Sequence, residues 1–136
     1  MIAPNRPTSR RRPSIRIAFL IALIVSCAII SGKTATDTNA VERSGHTATR
    51  LSDGRVLIAG GANSTGALNE TEIYDPASAT FSTAGYMGAA RTDHSATLLA
   101  DGRVLIAGGH NGGGAVASTE IFDPATGAFT SGPSMR

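Results

Sequence analysis

One cysteine, no tryptophan and only six other aromatic residues in 136 positions set the first limits on this chain. A single thiol makes no intrachain disulfide and no cysteine cluster for zinc, so disulfide scaffolds and Cys-based metal domains are excluded. Acidic residues are missing from the N-terminal segment. All ten lie at Asp37 or later, whereas Arg6, Arg10, Arg11, Arg12 and Arg16 place five of the twelve basic residues in the first sixteen positions. The pI of about 9.2 is therefore local. From Lys33 onward seven basic side chains stand against ten acidic ones, a net charge of −3, which argues against a nucleic-acid partner for the body. Sixteen glycines without a Gly-X-Y period exclude collagen, and a single short apolar run excludes a polytopic membrane protein. With a targeting segment subtracted, about 100 residues remain, enough for one small domain.

What is present at the N-terminus has the order of an export signal. The Arg cluster precedes an apolar stretch, Ile17 to Ile30, closed by Ser31, Gly32 and Lys33. Residues 1–32 are thus expected to be a signal peptide or a membrane anchor, with everything after them exported, either membrane-anchored or secreted. Fourteen apolar residues fall short of the ~18 to 20 that span a bilayer comfortably. Cys27 ends Ile24-Val25-Ser26-Cys27, a sequence that resembles a bacterial lipobox and makes Cys27 a candidate lipidation site; it also fits as one more small apolar residue of the run. Residues 33–42, rich in Thr, Ala, Asp and Asn without periodicity, read as a flexible linker.

The remaining chain repeats itself. A shift of 48 positions aligns Arg43 to Met87 with Arg91 to Met135 without a gap, and 25 of the 45 pairs are identical. Each copy predicts strands. Segments from His46 to Leu51 and Val56 to Ala59 flank Ser52-Asp53-Gly54-Arg55, and segments from His94 to Leu99 and Val104 to Ala107 flank Ala100-Asp101-Gly102-Arg103; Asp-Gly between β-rich runs signals a tight hairpin. Four consecutive apolar residues in Val56 to Ala59 predict a strand covered on both faces. A third strand, Thr71 to Tyr74 or Thr119 to Phe122, ends at Asp75-Pro76 or Asp123-Pro124, and a fourth centres on Phe81 or Phe129. The predicted fold is all-β, with two four-stranded antiparallel blades over residues 43–90 and 91–136. Two blades close no ring, so open outer faces, self-association or completion by further blades are expected.

These residues carry a family resemblance. The doublets Gly60-Gly61 and Gly108-Gly109, the following aromatics Tyr74 and Phe122, and a second aromatic at Phe81 and Phe129, where Trp is usual, resemble the kelch repeat, in particular that of bacterial kelch-like proteins. The resemblance implies a β-propeller of roughly six or seven blades, of which this chain holds two. It also implies a binding or scaffolding module rather than an enzyme, acting without a cofactor on a protein or glycan. The runner-up is a truncated fragment of a longer kelch propeller, a sugar-modifying enzyme among the candidates for the whole, possessing no activity of its own. Copper-radical oxidases and sugar-epimerising proteins share the kelch fold, but the body offers Tyr74 and Tyr86 without a cysteine, so the copper chemistry is not expected.

Candidate residues divide by whether they recur. His46 and His94 occupy equivalent positions, as do Arg43 and Arg91, and Arg55 and Arg103, which suits a role in packing and loop hydrogen bonds. The Gly doublets suit close chain approach better than a phosphate cradle. His110 is different: its repeat partner is Ala62, and it opens the loop His110-Asn111-Gly112-Gly113-Gly114. His110, Asn111 and Asn63 are therefore the candidate binding residues, on the loops Ala62 to Glu70 and His110 to Ser118. Three histidines at these spacings match no metal pattern.

Overall fold

The computed structural model describes residues 42–136, and all their regular structure is β. The export segment at 1–32, Cys27 within it, and the linker up to residue 41 lie outside the described residues. Strands β1 (Thr47–Arg50) and β2 (Val56–Ala59) pair in the register Thr47 to Ala59 and Arg50 to Val56. Their turn is closed by Leu51 N–H to Arg55 O at 2.8 Å and Gly54 N–H to Leu51 O at 3.1 Å. Gly54 sits at φ 95° there, a conformation that an L side chain resists. Asp53 Oδ1 accepts the Arg55 backbone N–H at 3.0 Å, which fixes the turn from inside.

Beyond β2 the chain makes a small hairpin, β3 (Ala62–Asn63) and β4 (Gly66–Ala67), before β5 (Glu70–Asp75) and β6 (Thr80–Tyr86) complete the first sheet in the order β1-β2-β5-β6. Asp75 Oδ1 caps the β5-β6 turn by accepting Ala77 N–H at 2.8 Å. Tyr74 and Phe81 face each other across that ladder with ring centroids 4.9 Å apart. The second repeat copies this plan. Strands β7 (Ser95–Leu98), β8 (Val104–Ala107), β11 (Thr119–Asp123) and β12 (Ala128–Ser131) form the second sheet, and β9 (His110–Asn111) with β10 (Gly114–Ala115) repeats the small hairpin. Phe122 and Phe129 repeat the aromatic pair at 4.9 Å.

The two sheets pack face to face, each as one blade. Side chains alternate along a strand, so Leu57 and Ala59 of β2, with Ile73 of β5, point one way and meet Val104, Ile106 and Phe122 of the second blade in a single buried cluster that includes Leu51 and Met87. Fully burying each large aliphatic there contributes about 1.5–3 kcal/mol. The contact is head to tail: it joins the odd-numbered face of one β2-type strand to the even-numbered face of the next. Leu105, Ala107 and Ile121, which are the repeat equivalents of Leu57, Ala59 and Ile73, face away from that cluster and are half-buried. Val56 and Ile58, on the other side of blade one, are each 2% exposed. Among the described residues the open face is seen on the second blade, at Leu105, Ala107 and Ile121.

Candidate functional site

Each repeat begins with an arginine whose guanidinium is folded into the blade. Arg43 donates from Nη1 to the carbonyls of Gly60 and Glu70, both at 3.0 Å, and from Nη2 to Glu72 Oε2 at 2.9 Å. Arg91 does the same with Gly108 O at 3.0 Å, Ser118 O at 2.9 Å and Glu120 Oε1 at 2.7 Å. Beside the small hairpins each arginine donates to the Gly60 or Gly108 carbonyl and adds a second donor to the Glu70 or Ser118 carbonyl, which already accepts Gly60 N–H at 3.1 Å or Gly108 N–H at 3.4 Å. Glu120 then accepts the backbone N–H of Gly88 at 2.6 Å and of Ala89 at 3.1 Å, tying the connector between the repeats to the second blade. The Arg and Glu of this pair are visible in the sequence, but their meeting is not, because 29 residues separate them.

His94 lies between the blades and is 7% exposed. Its Nε2 shares a hydrogen bond with Thr47 Oγ1 of β1 at 2.8 Å. Burial, and then the positive charge of Arg91, push its pKa from 6.5 down to about 4, with Asp93 opposing them. His46 is shifted the same way, by burial and then by Arg43. The Gly doublets lie where chains touch: a Cβ on Gly60 would stand 2.5 Å from Arg91 O, and one on Gly109 would stand 2.5 Å from Thr92 O. Gly61 N–H donates to Arg91 O at 2.9 Å across the blade interface.

The opposite situation holds at the small hairpins, where little is buried. The β4 strand of the first lies beside β9 of the second, which brings Asn63 and Asn111 to one end of the two blades. Both asparagines are occupied by their own turns. Asn63 Oδ1 accepts from the N–H of Thr65 at 2.9 Å and from its hydroxyl at 2.6 Å; Asn111 Oδ1 accepts Gly113 N–H at 2.9 Å, and its Nδ2 donates to Ala90 O at 3.2 Å. His110 is held only through its backbone, in a two-way bridge with Thr92 at 2.9 and 3.0 Å, and its imidazole is exposed with Nε2 3.6 Å from Asp93 Oδ2.

Asp93 is the residue that sequence reasoning missed. It stands where the first repeat has Gly45, and both adopt a left-handed backbone, φ 53° for Asp93 and 65° for Gly45. That conformation costs an ordinary side chain about 1–2 kcal/mol, with Asp among the better tolerated. Two departures from repeat symmetry, Gly45 to Asp93 and Ala62 to His110, thus meet as one exposed imidazole-carboxylate pair. The signal was available as two mismatched columns of the repeat alignment, but their contact was not. Among the described residues no group of three or more His, Cys, Asp or Glu side chains is placed to hold a metal ion.

The family model described as Kelch motif matches residues 91–136. No curated protein matches the chain. Among solved structures it is similar to a protein described as "Novel fungal alcohol oxidase with catalytic diversity among the AA5 family, in complex with copper", with a TM-score of 0.62 and 17% identity, over 73% of this chain and 24% of that one. At that identity the likeness speaks for the fold alone, and the chain spans about a quarter of the oxidase's length. Together the motif match and the structural neighbour support a kelch-type propeller architecture, in which the unmatched first repeat is the copy aligned above. Among the described residues Tyr74 packs on Phe81, Tyr86 is exposed, and His46 and His94 are drawn into the blades.

Proposed function

We propose that this chain is a non-enzymatic binding or scaffolding module, exported from the cytoplasm, which recognises a protein or a surface glycan with the end of the blades that carries His110, Asp93, Asn111 and Asn63. The observation behind this reading is that two of the positions at which the repeats differ, Asp93 for Gly45 and His110 for Ala62, meet at one exposed place on blades of the same plan. Rigid blades hold the hairpins, and the hairpins present what differs. The test is direct binding by the full chain, displayed on a surface and probed with a glycan array and with purified surface proteins. A His110→Ala, Asp93→Gly double variant should lose at least tenfold in affinity for whatever binds, with its unfolding midpoint held or raised. Undiminished binding by that variant refutes the assignment.

A second reading, in which the chain works only as part of a larger propeller, is favoured by the outer face of blade two. Leu105, Ala107 and Ile121 are half-buried there, while their equivalents in blade one are covered by a neighbour. Further blades, or another copy of this chain, would cover that face by the head-to-tail contact already made once within the chain. Sedimentation equilibrium of the full chain separates the cases: a monodisperse monomer at micromolar concentration opposes self-association.

A further inference from the structure

At the end of the blades opposite the small hairpins, the turn between β1 and β2 and the turn between β7 and β8 stand side by side and flank an open cleft of about 460 Å³. That is within the range of small-ligand sites. Each turn contributes a carboxylate and a guanidinium. Asp53 Oδ2 accepts Arg55 Nε at 2.8 Å and Nη2 at 2.7 Å, and Asp101 Oδ2 accepts Arg103 Nε at 2.8 Å and Nη2 at 2.7 Å. Asp123, at the end of β11, adds a third carboxylate, and Ser52 a hydroxyl. Leu51 is buried behind them, and no aromatic ring reaches the cleft.

The turns do not need these arginine side chains. Closure is provided by backbone hydrogen bonds and by Asp Oδ1 accepting the Arg N–H, at 3.0 Å for Arg55 and 3.1 Å for Arg103. Exposed ion pairs of this kind add little to stability. Their effect is on orientation: each guanidinium is clamped by its Nε and Nη2 edge, and its Nη1 makes no hydrogen bond among the described residues. The cleft therefore carries guanidinium N–H donors beside carboxylates that keep acceptor capacity, although Asp123 Oδ1 already accepts Ala125 N–H at 2.9 Å.

The charge arrangement selects the ligand. Two guanidiniums and three carboxylates nearly cancel, and each guanidinium already has a carboxylate at 2.7 Å. A bare anion meets the aspartates and a bare cation meets the arginines, so neither gains much. A neutral ligand with adjacent hydroxyls gains at both, each hydroxyl accepting from a guanidinium N–H while donating to a carboxylate oxygen. We propose that the cleft between the two Asp-Gly-Arg turns is a second binding site, distinct from the hairpin end, for vicinal hydroxyl groups of a neutral saccharide.

Saturation-transfer NMR on the full chain, with glucose, mannose, galactose, N-acetylglucosamine, cellobiose and lactose as probes, tests this. At least one of them should bind with a millimolar dissociation constant. Arg55→Ala and Arg103→Ala should each weaken it about tenfold, the expected loss of one hydrogen bond from a charged donor. Arg103→Lys keeps the charge and the turn but removes the fork, and should weaken binding as well. His110→Ala should leave this binding unchanged, which separates failure of this site from failure of the hairpin end. Absence of binding by all six sugars, equal binding by the arginine variants, or preferential binding of sulfate or calcium ion in the cleft overturns the proposal.

Discussion

Removing the Arg91 side chain tests whether the buried Arg-Glu pair organises the second blade. Arg91 is fully buried and donates to Gly108 O, Ser118 O, Ser118 Oγ and Glu120 Oε1 between 2.7 and 3.0 Å. Arg91→Ala leaves two carbonyls without that donor and Glu120, 5% exposed, without its counter-charge. The backbone N–H groups of Gly88 and Ala89 still bond the carboxylate, which softens the loss. Breaking one side of a buried pair costs about 3–5 kcal/mol, against a total stability of about 5–15 kcal/mol for an ordinary domain. With about 4–8 °C for each kcal/mol in a domain of this size, the midpoint should fall by roughly 15 °C or more. Arg103→Ala is the control, since the same residue type in an exposed pair should leave the midpoint where it is. The double change Arg91→Met, Glu120→Leu should recover much of the loss, because it removes the buried charge together with its partner. Thermal and urea unfolding of the full chain, followed by circular dichroism, measure all four proteins. If Arg91→Ala lies within about 1 kcal/mol of the parent, the pair is not what holds the connector, and the argument fails.

Acidification provides another check. His94 is neutral in the folded protein down to about pH 4, whereas in the unfolded chain it takes up a proton near 6.5; stability from its burial is complete above pH 6.5 and is lost as pH falls towards 4, by about 3 kcal/mol in all. His94→Gln should show a shallower decline than the parent in urea titrations at pH 7 and pH 4, and parallel declines would show that His94 is not the group responsible. Gly60→Ala should destabilise by about 2–5 kcal/mol, through its φ of 57° and the 2.5 Å approach to Arg91 O, while Gly112→Ala, with nothing within 4 Å, should be neutral in the same assay. Asp93→Gly should raise stability by about 0.5–1 kcal/mol by relieving the left-handed backbone while removing the partner of His110, so thermal unfolding and binding should move in opposite directions. Finally, residues 1–39 fused to a reporter active only outside the cytoplasm should yield activity, and an inactive soluble fusion would remove the export proposal.

Legibility in the sequence followed the range of the interaction involved. Asp-Gly-Arg predicts its turn because the carboxylate, the glycine and the receiving N–H lie within three residues, and the β1-β2 and β7-β8 hairpins form at those turns. Asp75-Pro76 and Asp123-Pro124 ended the third strands for the same local reason, with each Asp capping the N–H two residues on. The hairpins β3-β4 and β9-β10 were expected only as loops, because two-residue strands have no periodicity to detect.

The sequence by itself determined the all-β class, the four strands of each blade, their turns and the duplication, since these are written in local turn chemistry and in a comparison of the chain with itself. Tertiary structure alone decided which copies are covered: Leu57 and Leu105 are identical in sequence context, yet one is sealed by a neighbouring blade and the other is half-open. It also decided the pairing of Arg91 with Glu120, the contact of Asp93 with His110, and the meeting of two Asp-Gly-Arg turns in one cleft. These depend on where distant segments arrive in space, and no local pattern carries that information, because two blades with nearly the same residues differ only in what stands beside them.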